Sequence, residues 1–201
     1  MTIPGLRERK KRATRRAIGE AAVRLAMERG LENVRVEDIA AAADVSVRTF
    51  SNYFRTKYDA IGALGLDQAA ELGEALRLRP PDEPLWPAIK AAVLAQYPDQ
   101  DEHRDREWVS RLRRVMISEP MRGSHHAVTA ATVAALAGAI AERTGADAHD
   151  LWSEVVSWAV VTATQAGLRR WSRADPQVPL RPLVEQALDA LECLPAAAAR
   201  R

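Results

Sequence analysis

Residues 36–55 constrain the fold more than any other part of the chain, because their apolar side chains stand at fixed offsets. A helix-turn-helix unit needs a small residue inside its first helix, a tight turn, and apolar residues that hold the second helix steeply across the first. Such residues occupy positions four, five, ten and fifteen counted from Val36, namely Ile39, Ala40, Val45 and Phe50. Residues 43–46 supply the turn, and Ser46 is a favourable N-cap. The spacing predicts two short helices, at about residues 36–43 and 47–54.

Apolar residues recur at helical spacing along the rest of the chain, and no stretch shows the alternation of a strand. The first helix is predicted from Thr14 to a stop at Arg29 and Gly30. Thr56 and Asp59 are three residues apart and predict a capping box that opens another helix, ending near residue 78. Proline and glycine signals separate five more predicted helices, at residues 85–97, 104–118, 121–144, 148–173 and 180–194. The sequence therefore predicts an all-α fold of about nine helices.

Charge is distributed unevenly along the chain. Residues 1–60 carry 13 Lys and Arg against 8 Asp and Glu, whereas residues 61–201 carry 16 against 19. A basic end on an otherwise acidic chain favours a polyanionic partner, although a membrane surface or a solvated face is compatible with the same charges. We expect the basic arm at residues 7–12 to be disordered in the free protein and to become ordered when it binds its polyanionic partner.

Several classes of protein are excluded or disfavoured by composition. A single cysteine, Cys193, cannot form an intramolecular disulfide or a cysteine-rich zinc cluster, so we expect a cytoplasmic protein. The basic start has no apolar run behind it, so no signal peptide is expected. The uncharged stretches at residues 123–141 and 155–168 are interpreted as buried helices rather than membrane spans, and no membrane partner is predicted.

Enzyme signatures are missing from the sequence. It has no nucleophile elbow, no glycine-rich phosphate loop and no His-Glu-x-x-His motif, so we predict no catalytic residue, no cofactor and no metal ligand. A metal-responsive protein remains an alternative because acidic and histidine residues follow Pro98, although a solvated loop also explains them. These residues are Asp99, Asp101, Glu102, His103 and Asp105.

The segment between about residues 14 and 64 resembles the N-terminal domain of TetR-type transcriptional regulators. The motifs that carry the resemblance are Val36-Glu37-Asp38-Ile39-Ala40, Asp44-Val45-Ser46, Thr49-Phe50, Asn52-Tyr53-Phe54 and Lys57. The resemblance implies a homodimer with an N-terminal three-helix head that binds DNA and a C-terminal helical domain for ligand binding and dimerisation. We accordingly place the DNA-binding domain at residues 1–60 and the second domain at residues 61–201. Such regulators are usually repressors that a small molecule releases from a double-stranded DNA operator.

Three residues depart from the family pattern. Asp44 stands where the family generally has glycine, so we expect a left-handed backbone that Asp tolerates less readily than Gly. Arg35 replaces the usual Thr or Ser cap of the second helix, and Ser51 replaces a usual Tyr. The resemblance implies that Arg48 and Thr49 face the major groove, while other residues contact phosphates. The predicted DNA-binding residues are Thr14, Arg35, Ser46, Val47, Arg48, Thr49, Ser51, Asn52, Tyr53 and Lys57.

One recognition helix per chain makes few base contacts, so we expect two heads on a palindromic site and a dimer interface elsewhere. The predicted helix at 148–173 is apolar on two sides. One side, with Leu151, Val155, Trp158 and Thr162, serves the chain's own core, whereas small residues on the other allow a partner to approach. Burial of both sides within one chain is the alternative. The predicted interface residues are Trp152, Val156, Ala159, Ala163, Gly167, Val184, Leu188 and Leu191.

The effector is predicted to be hydrophobic, because all five tryptophans fall outside the head and large aromatics suit apolar cavities. Acyl-CoA thioesters and lipids are among the ligands that the family resemblance implies. The predicted pocket residues are Trp86, Trp108, Leu112, Met116, Met121, His125 and Trp158, although each one singly also fits a plain core. A module that binds any polyanion or a membrane without base preference is the remaining alternative to a sequence-specific regulator.

Overall fold

The computed structural model describes residues 6–97, 115, 118–147, 149–171, 173 and 178–198. Within these ranges the chain forms eight α-helices and no strand, which confirms the all-α prediction. The helices are α1 (Leu6–Arg29), α2 (Val36–Ala42), α3 (Val47–Tyr53), α4 (Lys57–Arg77), α5 (Leu85–Leu94), α6 (Arg122–Thr144), α7 (Leu151–Trp171) and α8 (Leu180–Ala198). The helix predicted at 104–118 falls almost entirely outside the described residues.

The first helix begins earlier than predicted. α1 starts at Leu6, so the basic segment at residues 7–12 is helical, and the expectation of disorder in the free protein was wrong. Arg, Lys, Glu and Ala are strong helix formers, and adding them to a helix that the core already holds avoids the cost of nucleation. Thr14 lies within this helix and its Oγ1 donates to the carbonyl of Lys10 at 3.0 Å.

The chain divides into two compact units. The first comprises Met1–Asp67 with Glu107–Val128, and the second comprises Gln68–Arg106 with Thr129–Arg201, so α4 and α6 contribute residues to both. The predicted boundary after residue 60, between a DNA-binding domain and a second domain, stays a prediction.

The core of the first unit lies between α1, α2 and α3. Ile18 of α1 packs with Ile39 and Ala40 of α2 and Phe50 of α3, and all four are at most 1% exposed. Val45, in the turn, is half-buried and packs against the same cluster. The helix-turn-helix spacing assigned Ile39, Ala40, Val45 and Phe50 to the core, so that prediction is confirmed.

The second unit has its own core, to which α4, α5, α6, α7 and α8 all contribute. α7 and α8 approach very closely, since a Cβ added at Gly167 would lie 2.9 Å from the Cα of Val184. Lys90 of α5 forms an ion pair with Asp189 of α8. At the start of α7, the carboxylate of Asp150 accepts hydrogen bonds from the backbone nitrogen and the hydroxyl of Ser153, both at 2.8 Å.

The side chain of one arginine, Arg143, binds the loop that connects α4 to α5. The guanidinium of Arg143, near the end of α6, donates to three backbone carbonyls in this loop, those of Arg79 at 3.1 Å, Pro80 at 2.8 Å and Glu83 at 2.9 Å. Beside it, Arg77 of α4 forms a paired hydrogen bond with the carboxylate of Glu142. The loop therefore has several of its carbonyl groups satisfied by one side chain.

One of the described helices has the length and the apolar composition of a membrane span. Among the described residues, Glu119–Thr144 is long and apolar enough to cross a membrane by length and composition. Alanine is the commonest residue in it, and one side of α6 packs in the core through Val133, Leu136 and Ile140. Alanines 127, 130 and 134 on the other side are exposed, so α6 is less buried than the sequence predicted.

Candidate nucleic-acid interface

The turn between α2 and α3 is built around a left-handed residue. Asp44 has φ 53, and it is the one residue other than glycine with positive φ in the described part of the chain. The backbone nitrogen of Val45 donates to the carbonyl of Ala40 at 2.9 Å, and that of Asp44 donates to Ala41 at 3.2 Å. This pair of bonds is a Schellman motif, in which a left-handed residue ends one helix and redirects the chain. The predicted conformation of Asp44 is therefore confirmed.

The hydroxyl groups around α3 bond within the helix. The Oγ of Ser46 accepts from the backbone nitrogen of Thr49 at 3.0 Å, which confirms the predicted N-cap. The same Oγ lies 2.8 Å from the Oγ1 of Thr49. One turn later, the Oγ of Ser51 donates to the carbonyl of Val47 at 3.0 Å. These bonds fix the first two turns of α3.

One side of α3 is buried and the other is free. Phe50 is 1% exposed and Phe54, which caps the helix, is 6% exposed, with ring centroids 5.8 Å apart. The opposite side carries four exposed residues, called here the recognition face, which are Val47, Arg48, Ser51 and Asn52. Thr49 and Tyr53 are half-buried at its edges. The structure thus brings most of the predicted base-contacting residues onto one accessible surface.

Lys57 has a structural role that the sequence did not reveal. Its Nζ donates to the carbonyls of Leu31 at 2.8 Å and Val34 at 2.9 Å and lies 5.5 Å from the centre of the Tyr58 ring. An ammonium group has three donors, so one remains for another acceptor. Lys57 therefore ties the start of α4 to the loop that precedes α2.

Arg35 and Asp38 form one half of a capping box. The backbone nitrogen of Arg35 donates to the Oδ2 of Asp38 at 3.1 Å. The reciprocal bond is not made because a guanidinium has no acceptor. The side-chain cap expected to be lost with Arg35 is therefore missing, and the Arg35 side chain is exposed on the head. At α4, by contrast, Thr56 and Asp59 form both bonds of the predicted box, each at 3.1 Å.

The predicted pocket residues are dispersed. Trp108, Leu112 and Met116 lie outside the described residues. Met121 is fully buried in the core of the first unit, where His125 is half-buried. Trp86 packs against the core of the second unit, and its Nε1 is buried without a hydrogen-bond partner among the residues that the structure describes. Trp158, also in the second unit, is 41% exposed.

The predicted interface residues differ in accessibility. Ala163, Gly167, Val184 and Leu188 are buried in the core of their own chain, and Val156, Ala159 and Leu191 are half-buried. Trp152 is exposed. Four neighbouring side chains, called here the α7 apolar face, are exposed as follows: Leu151 72%, Trp152 53%, Val155 55% and Trp158 41%.

The side of α7 with the small residues thus packs within the chain, contrary to expectation. The sequence assigned Leu151 and Val155 to the chain's own core, and the structure exposes them. The reason is the close approach of α8 to Gly167, which a larger residue would prevent. A glycine in the middle of a helix was the one available signal that this side meets a neighbouring backbone.

A three-helix head that presents an exposed recognition face, followed by a larger helical unit, defines a helix-turn-helix DNA-binding regulator. Residues 18–64 match the family model described as bacterial regulatory proteins, tetR family, and residues 83–194 match the model described as MftR C-terminal domain. The chain therefore belongs to the TetR family. Members of this family are DNA-binding transcription factors and not enzymes.

Individual proteins agree with this assignment. The HTH-type transcriptional regulator TcmR of Streptomyces glaucescens is 38% identical over 93 residues, which are 46% of this chain and 41% of that protein. The match thus spans less than half the length of that relative. Two solved structures share the fold. FadR of Thermus thermophilus, a repressor in complex with lauroyl-CoA, has TM-score 0.56 and 23% identity, covering 89% of this chain and 93% of its own. The fatty acid degradation regulator FadR of Bacillus halodurans has TM-score 0.62 and 17% identity, covering 94% and 96%.

Proposed function

We propose that the chain is a homodimeric repressor that binds a palindromic operator and is released by a hydrophobic small molecule. The observation that carries the proposal is the recognition face of α3, which is exposed and stands on a buried helix-turn-helix core. The N-terminal residues of such a helix contact base edges in the major groove. Because the family acts in transcription, we propose that the protein works in the cytoplasm.

Within the recognition face, Arg48 is the residue suited to a guanine, because its guanidinium can donate to both O6 and N7. Asn52, one turn further along, has the amide that pairs with adenine N6 and N7. Thr49 lies beside them at the edge of the face. We propose that Tyr53 and the remaining donor of Lys57 contact phosphates, and such contacts position the protein without reading sequence. We propose that Thr14 and Arg35 also contact the sugar-phosphate backbone of the DNA.

The α7 apolar face supports the dimer. Trp152 and Trp158 leave about half and two-fifths of their side chains in water. Covering those parts removes roughly 200 Å² of apolar surface per chain, worth on the order of 5 kcal/mol. Two chains joined through this face bury twice that amount, which is of the size needed to offset the entropy of association. A palindromic operator requires the two copies of α3 in the dimer to lie about 34 Å apart, which is one turn of DNA.

An unpaired donor favours an effector with an apolar body and one acceptor. The Nε1 of Trp86 is buried in the second unit, and no described residue bonds to it. Such a group costs stability unless something bonds to it. The Bacillus halodurans neighbour is described as a fatty acid degradation regulator, and the Thermus thermophilus neighbour was solved with lauroyl-CoA. We therefore propose an acyl thioester or a similar lipid whose carbonyl accepts from Trp86. Release requires that this ligand favour the conformation that fits DNA less well.

The alternatives have less support. No group of three or more His, Cys, Asp or Glu that would hold a metal occurs among the residues that the structure describes, and the acidic segment after Pro98 lies outside them. Non-specific binding to polyanions or membranes requires no exposed recognition face. It predicts equal affinity for all DNA sequences.

The proposal is tested by selecting the purified full chain on random double-stranded DNA and measuring its affinities by gel shift. We expect an enriched palindrome that binds as one dimer per duplex. Arg48→Ala should abolish discrimination at one base pair in each half-site, a loss of about 1–3 kcal/mol per pair. Leu78→Ala is the matched control, because Leu78 is 75% exposed and lies outside the head. Equal binding to all duplexes contradicts the proposal.

The dimer and the effector have separate readouts. Trp152→Ala combined with Trp158→Ala should convert the dimer to a monomer in analytical ultracentrifugation. The monomeric variant should still be folded and unfold cooperatively on heating. Lauroyl-CoA should lower the affinity for the enriched duplex, whereas free CoA should not. A wild-type chain that sediments as a monomer, or a DNA affinity unaffected by acyl thioesters and lipids of any length, removes the corresponding part of the proposal.

A further inference from the structure

Val47 is an apolar side chain in a place that otherwise favours polar ones. It is 43% exposed, and among the described residues of the first unit it is the one large hydrophobic side chain classed as exposed. It occupies the first position of α3, directly after the Ser46 cap. A β-branched residue gains no helix propensity there, and somewhat less than half of the Val47 side chain is open to water in the free chain. That exposed part is available for contact with whatever the head binds.

The surroundings of Val47 restrict what that partner is. Ser51, one turn along the same face, directs its proton back to the carbonyl of Val47. The hydroxyls of Ser46 and Thr49 bond to each other. Arg48 and Asn52 are the exposed polar groups of the recognition face. Val47 itself thus offers a base edge an apolar contact, beside the hydrogen-bonding groups of Arg48 and Asn52.

We infer that Val47 contacts the C5-methyl group of a thymine in each operator half-site. Thymine is the base that presents an apolar group in the major groove, and apolar side chains read it by contact with that methyl. The inference rests on the proposed function, since it assumes that α3 enters the groove with its N-terminal residues against the bases. It makes Val47 a determinant of specificity beside Arg48, which reads by hydrogen bonds.

The methyl group is removed from the DNA by replacing thymine with deoxyuridine, which leaves base pairing and every hydrogen-bonding group in place. The probe is the duplex enriched by selection with the full chain, with each thymine replaced in turn at symmetric positions of both half-sites. Losing one buried methyl contact weakens binding about four-fold, so a symmetric replacement should weaken the wild-type dimer about fifteen-fold. We expect this loss at one symmetric position.

Val47→Ala completes a double-mutant cycle and keeps a good helix former at the position. It should bind the thymine duplex more weakly than the wild type does, by about the same factor, and should bind the critical deoxyuridine duplex as the wild type does. The Leu78→Ala control should match the wild type on both duplexes. Unchanged thermal unfolding of Val47→Ala shows that the head is intact.

Two results overturn the inference while leaving the proposed function standing. Either a palindrome is enriched but no deoxyuridine replacement weakens the wild type, or Val47→Ala loses equal affinity on the thymine and deoxyuridine duplexes. If selection enriches no sequence at all, the proposed function fails and this inference fails with it.

Discussion

Replacing Asp44 with glycine is expected to stabilise the protein, because Asp44 is held at φ 53 in the turn before α3. A left-handed conformation costs a residue with a side chain roughly 1–2 kcal/mol, less for Asp than for most. Glycine removes that cost but gives back about 0.4–1 kcal/mol through the greater freedom of the unfolded chain. Asp44 is exposed, so no packing is lost. The net gain should be about 0.5 kcal/mol, or a rise in unfolding temperature of roughly 1–2 °C.

Two further substitutions separate backbone strain from charge. Asp44→Asn keeps a side chain that tolerates this conformation and removes the negative charge from a basic head. Asp44→Ala keeps the strain and removes the polar group, so it should be the least stable of the four proteins. Thermal unfolding followed by circular dichroism at fixed protein concentration gives the order. An alanine variant as stable as the glycine variant refutes the argument, because backbone strain then plays no part.

Three other predictions concern stability. Gly167→Ala should destabilise the chain by roughly 1–3 kcal/mol in chemical denaturation, because the new Cβ lies 2.9 Å from the Val184 backbone. Gly123→Ala, with nothing within 4 Å of the new Cβ, should be neutral or stabilising, and equal losses would contradict the packing argument. Trp86→Phe should cost less than Trp171→Phe by about 1 kcal/mol, because the Nε1 of Trp171 donates to the Val178 carbonyl at 3.0 Å whereas that of Trp86 has no partner within the described part of the chain. The reverse order would mean that the Trp86 donor is satisfied in solution. Hydrogen bonds from the Ser153 backbone and hydroxyl hold the pKa of Asp150 below its usual value. The ionised carboxylate therefore stabilises the folded chain at neutral pH, and this stabilisation is lost as the pH falls through the lowered pKa. Asp150→Asn keeps a helix cap that does not titrate. The free energy of unfolding of this variant should depend less on pH than that of the wild type between about pH 5 and 2. Identical pH profiles would exclude a role for this carboxylate.

The features that the sequence predicted correctly depend on residues close together in the chain. The buried positions of Ile39, Ala40 and Phe50 follow from fixed offsets within two short helices. The box formed by Thr56 and Asp59 follows from a spacing of three residues. Both involve backbone geometry that local side chains determine, so periodicity and capping rules were sufficient.

The features that the sequence did not predict depend on contacts between distant residues. Lys57 donates to a carbonyl 26 residues away, and no local pattern indicates that partner. Which side of α7 faces the core depends on where α8 passes Gly167, and periodicity identifies two apolar sides without ranking them. The start of α1 was placed too late because charge was interpreted as a sign of disorder, whereas helix propensity and an existing core favoured continuation.

The three carbonyls held by Arg143 have a practical consequence for engineering this protein. Exposed loops are the usual places to fuse a fluorescent reporter or to open a circular permutant, but they accept such changes only where their backbone groups are free. The connection between α4 and α5 is exposed at Pro80, Pro81 and Asp82, and its neighbouring carbonyls are nonetheless committed to one guanidinium. A biosensor built on this scaffold should therefore carry its fusion point elsewhere.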